Sequence, residues 1–256
     1  MELGLKDKTV LVSGSSRGIG LAIAESFLQE GARVQISGRN EGMLKDSLQT
    51  LSERYSPVKI DSFCGDLNQP EMINKAIYQL VDLFDGIDCI IANIGSGAGP
   101  SGWDLSAGDW HSLVDINLVG SMVLATSAIP YLKGRDNPSI TFISSIAGVE
   151  AITAPIPYSA AKAGLQLAAK NLARQLGPEG IRVNTVAPGN VLVPGGGWAA
   201  KMTEGPDQVK KYIKSEVPLG RFADPVEIGN AAVFLASSRA RFISGALLCV
   251  DGAQTH

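Results

Sequence analysis

A tyrosine and a lysine stand four residues apart in PYSAAK, as Tyr158 and Lys162, and a serine, Ser145, lies thirteen residues before the tyrosine. The run PYSAAKAGLQLAAKNLARQL is rich in Ala, Leu, Lys and Gln and has Pro157 at its first turn, which predicts a helix over 157–176. On a helix, positions four apart share a face. The ammonium of Lys162 is therefore expected beside the phenol of Tyr158, where a cation favours the phenolate and lowers the tyrosine pKa from its reference of about 10. A tyrosine so tuned exchanges a proton near neutral pH. Ser145 follows the apolar run ITFIS, and a hydroxyl there is placed to hold a carbonyl oxygen against the tyrosine.

Those side chains need a scaffold, and the chain alternates short β-branched runs with longer amphipathic ones. TVLVS, RVQIS, VKIDSFC, IDCIIA, SITFIS, IRVNTVA and ALLCV read as strands, with VKIDSFC beginning at Val58. Helices are expected between most of them, over about 18–30, 41–54, 70–84, 109–131, 157–176 and 225–236. Alternation of this kind implies an α/β fold, a doubly wound parallel sheet with helices on both faces. Ligands of such sheets bind at the carboxyl ends of the strands, which is where Ser145 falls.

The first strand runs into SGSSRGIGLAIAESF, giving Gly14-x-x-x-Gly18-x-Gly20 at a strand-to-helix turn. Glycines let a pyrophosphate approach the backbone, and the helix start supplies unpaired N–H groups and positive dipole. A dinucleotide is the ligand this context fits. The second strand ends ISGRNEG, with Gly38 where an NAD site places an acid and Arg39 after it, while Arg17 adds a second cation in the glycine turn. Arginine there accommodates a ribose 2′-phosphate, so the expected cofactor is NADP(H) rather than NAD(H). After the third strand, Asp66 and Leu67 are expected to flank an adenine ring, and after the fourth the glycine-rich ANIGSGAGPSGW suits close approach to a cofactor.

The helices over 109–131, which carries Asn117, and 157–176 are apolar nearly all round, with Ala160, Ala161, Ala163, Gly164, Ala168 and Ala169 on the latter. A sheet covers only one side of a helix, so both are expected to pack on another subunit in a homo-oligomer, a tetramer by preference. Beyond the sixth strand, Gly195 to Gly197 and the side chains Trp198, Met202 and Tyr212 suggest a hinged lid over about 190–222, with Trp198 against substrate.

The 256 residues, 45% apolar and 18% charged, suit one domain spanning 1–256. A net charge of −3 offers nucleic acid no electrostatic footing. His111 and His256 are far apart, and Cys64, Cys89 and Cys249 lack metal-ligand spacing, so no metal is expected. No apolar signal core opens MELGLKDKTVLVSG and no stretch is expected to reach membrane-spanning length, which leaves a reducing, cytoplasmic setting and no membrane partner.

From about residue 6 to residue 252 the chain resembles the short-chain dehydrogenase/reductase family, whose fold is the doubly wound Rossmann type. The resemblance is carried by Ser13-Gly14-x-x-x-Gly18-x-Gly20, by Ala92-Asn93-Ile94-Gly95 against the family's NNAG, by Asn117, Ser145, Tyr158 and Lys162 against its tetrad, by Pro188-Gly189, and by Val250-Asp251-Gly252. It implies an NADP(H)-dependent enzyme interconverting a carbonyl and a secondary alcohol. Ser145 would hold the substrate oxygen, Tyr158 would give or take the proton, Lys162 would depress the tyrosine pKa and grip the nicotinamide ribose, and Asn117 would hold a water. Cofactor contacts are implied for Gly14, Ser16, Arg17, Gly18, Ile19, Gly20, Arg39, Asp66, Leu67, Asn93, Gly95, Tyr158, Lys162, Pro188, Gly189 and Val191. Ala92 and Ile94 depart from NNAG, and Val193 stands where the family often has threonine. Phrases such as PLGRFADPVEIGNAAVFLAS are similar to 3-oxoacyl-[acyl-carrier-protein] reductases and equally to sugar and polyol dehydrogenases. Asp136 and Glu179, read as lying at the mouth of the site, would repel an acidic carrier, although Lys133 and Arg135 are near them. A protein that senses NADPH without turning it over is the alternative of another class.

Overall fold

The computed structural model describes residues 2–56 and 59–256. Among them, β1 (Thr9–Val12), β2 (Arg33–Gly38), β3 (Ile60–Cys64), β4 (Cys89–Ala92), β5 (Ser139–Ile143), β6 (Arg182–Pro188) and β7 (Leu247–Val250) form one sheet. The order is β3-β2-β1-β4-β5-β6-β7 and every neighbouring pair is parallel. Val58, the expected first residue of the third strand, lies outside the described residues. β1, β4, β5 and β6 are buried at every position, as strands covered on both faces must be, and their continuous apolar text reflects it.

The helices are α1 (Gly18–Gln29), α2 (Glu41–Arg54), α3 (Pro70–Phe84), α4 (Ala107–Val114), α5 (Gly120–Leu132), α6 (Ile156–Leu176), α7 (Gly197–Glu204), α8 (Pro206–Glu216) and α9 (Pro225–Ala236). One face of the sheet is packed by α3, α5 and α6, through side chains such as Leu80, Leu124, Phe142 and Leu165. The other is packed by α1, α2 and α9, through Ile23, Phe27, Leu44 and Ile228. Burying each such side chain stabilises the fold by roughly 1.5–3 kcal/mol. α9 starts with Asp224 and Glu227 in a reciprocal capping box and lies close on α1, because a Cβ on Gly229 would meet the Ser26 hydroxyl and stand 3.0 Å from the Ala22 carbonyl.

The chain winds outward in opposite directions from β1 and β4, so a crevice opens at their carboxyl ends. Helices return antiparallel to the strands. Their amino ends, and the loops that carry chemistry, are thus gathered on that edge.

The expected helix over 109–131 is broken by a π turn, Asp115–Val119, between α4 and α5. The combined span Ala107–Leu132 has 26 residues and an 18-residue window of mean hydropathy 1.6, long and apolar enough to cross a membrane by length and composition. That corrects the expectation that no stretch reaches such a length. Of that window 39% is buried, with Leu124, Ala125, Ala128 and Leu132 packed in the core beside α3, β4 and β5.

Candidate active site

The glycine turn takes its shape from backbone that only glycine adopts readily, with φ of +60° at Gly14 and +59° at Gly18. Gly20 is required by proximity, since a Cβ there would run into the Gly14 carbonyl and stand 2.6 Å from Asn93 Nδ2. Asn93 clamps the turn. Its main-chain N–H donates to Ser13 Oγ at 2.8 Å, and Nδ2 donates to the carbonyls of Gly14 at 3.1 Å and Ser13 at 3.2 Å. The departures at Ala92 and Ile94 leave this clamp intact, because both are buried core residues on either side of it.

α1 begins at Gly18 with no side-chain cap and no acid in its first turn, so its first N–H groups and positive dipole end point into the crevice unclaimed. A Cβ on Gly38 would stand 2.7 Å from Ser16 Oγ, so an acid at position 38 would have to displace Ser16. Arg17 and Arg39 are exposed, and neither forms an ion pair among the described residues. Together these features fit a dinucleotide with a phosphate on its adenosine side: donors at the helix start, backbone open to close approach, and two free guanidiniums.

The crevice has a volume of about 850 Å³ and is lined by Gly14, Ser16, Arg17, Gly18, Ile19, Gly20, Arg39, Asp66, Leu67, Asn93 and Gly95 along the glycine turn and the ends of β2 to β4. Ser145, Tyr158, Gly189, Val191 and Trp198 line its other end. A narrower recess of about 180 Å³ adjoins it, where Asn117, Lys162 and Pro188 meet Ser145 and Tyr158. Every residue expected to touch the cofactor, the substrate oxygen or the reacting atoms thus lines one of these two adjoining hollows. Val193, in the place of a family threonine, packs its Cγ1 3.1 Å from where a Cβ of Gly18 would be.

Ser145 opens a short 3₁₀ turn, Ile146–Gly148, and its Oγ accepts from the Ala147 N–H at 3.1 Å. This turn presses on α6: a Cβ on Gly148 would stand 2.6 Å from Lys162 C and Ala163 N. Gln166, one turn past Lys162, donates to Ser144 Oγ at 3.0 Å and to the Ser145 carbonyl at 3.1 Å, and Ser144 Oγ donates to the Lys162 carbonyl at 3.1 Å. Neither Ser144 nor Gln166 was expected in the site. Their signal in the sequence is position alone, one beside Ser145 and the other four past Lys162.

Lys162 is buried, donates to the Ile143 carbonyl at 3.0 Å and lies 5.8 Å from the centroid of the Tyr158 ring. Burial pulls its pKa down to about 8. The expected lowering of the Tyr158 pKa is not what this structure shows. Burial pushes the phenol up, and the Ser145 hydroxyl beside it works in the opposite direction without prevailing. The physical reason is that removal from water outweighs a cation held over the ring and bonded to a backbone carbonyl.

Asn117 sits in the π turn, fully buried, and its amide is spent on backbone. Nδ2 donates to the carbonyls of Leu113 at 2.9 Å and Ser96 at 3.0 Å, and Oδ1 accepts from the Ser96 N–H at 3.0 Å. The bond to Leu113, four residues back, lies at the widened turn, where the Gly120 N–H reaches five residues back to the Asp115 carbonyl. A Cβ on Gly95 would meet Asn117 Oδ1 at 2.6 Å and Lys162 Nζ at 3.1 Å, so this glycine is required for the β4 loop to lie against both.

Between β6 and α9, α7 and α8 share a small apolar core of Val209, Val217 and Phe222 with Trp198 and Tyr212. Trp198 lies 5.0 Å from Tyr212 and 4.6 Å from Phe222, ring centre to ring centre. Tyr212, expected in the lid, lines the crevice and Met202 does not, while Asn190, Lys201 and Ile152 also line it and were not expected there. Asp136 and Glu179 line neither hollow: they follow α5 and α6 at the opposite edge of the sheet. Glu179 pairs with Lys133 at 3.0 Å, and Asp136 with Lys8 at 3.4 Å and Arg241 at 3.9 Å. Their expected place at the mouth is corrected accordingly.

A seven-stranded parallel sheet with a dinucleotide cradle at its switch point, and a serine, tyrosine and lysine beside it, defines a Rossmann-fold protein of the dehydrogenase type. The family model described as enoyl-(acyl carrier protein) reductase matches residues 14–255. The chain is 34% identical to 3-oxoacyl-[acyl-carrier-protein] reductase FabG of Aquifex aeolicus, over 98% of this chain and 99% of that one. It is 36% identical to a tropinone reductase homolog of Arabidopsis thaliana, over 98% of this chain and 92% of that one. Among solved structures, L-sorbose reductase from Gluconobacter frateurii, complexed with NADPH and L-sorbose, superposes with a TM-score of 0.93 at 28% identity, over 99% of this chain and 98% of that one. The chain belongs to the short-chain dehydrogenase/reductase family, whose members are oxidoreductases that use a nicotinamide cofactor.

Proposed function

We propose that this protein interconverts a carbonyl and a secondary alcohol with NADP(H), using Tyr158 as acid and base. The observation that carries the reading is the meeting of Ser145, Tyr158 and Lys162 in one recess continuous with the glycine-turn crevice. The unclaimed N–H groups of α1 would hold the pyrophosphate, Arg17 and Arg39 the 2′-phosphate, and Asp66 and Leu67 the adenine. When bound, the nicotinamide supplies or accepts the hydride. Ser145 Oγ would then donate to the substrate oxygen, and Tyr158 would pass its proton to that oxygen as negative charge develops there. A phenol kept protonated by burial is in the right state to give that proton. Lys162 supplies positive charge beside the phenolate left behind, and Asn117, its amide already spent, holds the Ser96 loop and would bind a water through main-chain atoms only.

The α7–α8 segment serves as the lid, and its aromatic cluster favours a partly apolar ligand. An acyl thioester gains ground from the paired state of Asp136 and Glu179, since neither stands to repel an acidic carrier at the crevice. We further propose a homotetramer. Leu167 on α6 is 63% exposed beside exposed Ala160 and Ala163, an apolar stripe that a second copy would cover.

Cofactor titration followed by a carbonyl panel tests the reading. NADPH is expected to bind more tightly than NADH. Arg39→Ala is expected to weaken NADPH by about 10- to 150-fold, in line with loss of a charge-assisted hydrogen bond of about 1.5–3 kcal/mol, and to leave NADH unchanged. Equal dissociation constants for the two cofactors in the wild type would contradict the NADP(H) assignment.

A further inference from the structure

Asn190 follows Pro188-Gly189 at the carboxyl end of β6 and occupies the root of the lid. Both halves of its side-chain amide are engaged, one with each lid helix. Trp198 Nε1, from α7, donates to Asn190 Oδ1 at 3.2 Å, and Asn190 Nδ2 donates to the Tyr212 hydroxyl, from α8, at 2.9 Å. An indole can only donate, so the amide oxygen must face Trp198 and the amide nitrogen is left for Tyr212. The main chain of the same residue is held as well. Its N–H donates to Gln254 Oε1 at 2.8 Å, and its carbonyl accepts from the Ala223 N–H at 3.0 Å, across the point where the lid returns to the body.

We propose that Asn190 is a positioning and specificity-determining residue: a latch that fixes the two lid helices against the substrate end of the crevice, itself held by Gln254. The proposal rests on the carbonyl–alcohol reading of that crevice. Trp198 and Tyr212 form its aromatic wall, so the latch sets how much room a ketone has beside Tyr158. Without it, the wall keeps its apolar contacts with Val209, Val217 and Phe222 and loses its polar tie to β6.

Amide hydrogen exchange and steady-state kinetics of Asn190→Ala and Tyr212→Phe test the latch. Tyr212→Phe removes one hydroxyl and keeps the ring, so it guards against a fold lost through Asn190→Ala. Protection over residues 197–216 is expected to fall at least tenfold in both variants, with β1, β4 and β5 unchanged. With ethyl acetoacetate and 1-tetralone as probes, the ratio of kcat/KM for the bulky ketone to that for the small one is expected to rise at least fivefold. KM for the small ketone should rise while its kcat stays within threefold. Unchanged exchange over 197–216, or an equal loss of kcat/KM for both ketones, overturns the proposal. Failure of the wild type to reduce either ketone counts against the carbonyl–alcohol reading, and the latch is then decided by exchange alone.

Discussion

Lys162 carries the sharpest electrostatic consequence at the scale of single residues. Its ammonium is buried, and its pKa is about 8 in the folded protein against 10.5 for an ordinary lysine. Between those values the unfolded chain binds more protons than the folded one, so stability rises with pH, by up to about 1.4 kcal/mol per unit from this group. Urea unfolding of wild type and Lys162→Met from pH 7 to 10 checks this: the wild type is expected to gain on the variant above pH 8, and a constant difference would contradict the burial argument. The same titration shapes catalysis. The proposed reduction uses the lysine cation and the protonated Tyr158, so kcat/KM for a ketone is expected to be flat below pH 8 and to fall above it as Lys162 loses its proton. A rate that climbs through pH 9 in the reducing direction would oppose these roles.

At the scale of elements, the site depends on how the 3₁₀ turn after β5 seats on α6. Gly148→Ala would force its Cβ to within 2.6 Å of α6 backbone, which cannot yield as a flexible side chain can. The turn would lift and carry Ser145 with it, and displacements of about 1 Å in such sites lower rates by about a hundredfold. Kinetics with a cofactor titration should therefore show kcat reduced well over tenfold with the NADPH dissociation constant within about threefold. Most of these elements were legible in the sequence, because strands, helices and the glycine turn are written in local periodicity and spacing. Tyr158 and Lys162 were legible for the same reason, one helical turn apart. What escaped depends on contacts between distant segments. The π turn carries Asn117, whose amide bonds to Ser96, twenty-one residues away, a partner that local spacing does not reveal. The three glycines before Trp198 read as a hinge, while the helices after them are held by Phe222 and Asn190. The pKa of Tyr158 is set by burial, which the neighbouring lysine in the sequence does not reveal.

For the whole molecule, the exposed apolar stripe on α6 predicts association. Sedimentation at micromolar concentration is expected to show a multimer in the wild type and smaller species for Leu167→Glu, whereas a monomeric wild type would leave the stripe unexplained. The relatives include a 3-oxoacyl-[acyl-carrier-protein] reductase, a tropinone reductase homolog and an L-sorbose reductase, so the family leaves open the substrate of the proposed tyrosine-centred reduction. The most direct test of that reduction is NADPH oxidation with an acetoacetyl thioester, compared between wild type and Tyr158→Phe. Turnover by the wild type is expected, with less than a tenth of it in a variant that still binds NADPH. A variant retaining more than a tenth of wild-type activity would contradict Tyr158 as the proton donor and, with it, the proposed reaction at this site.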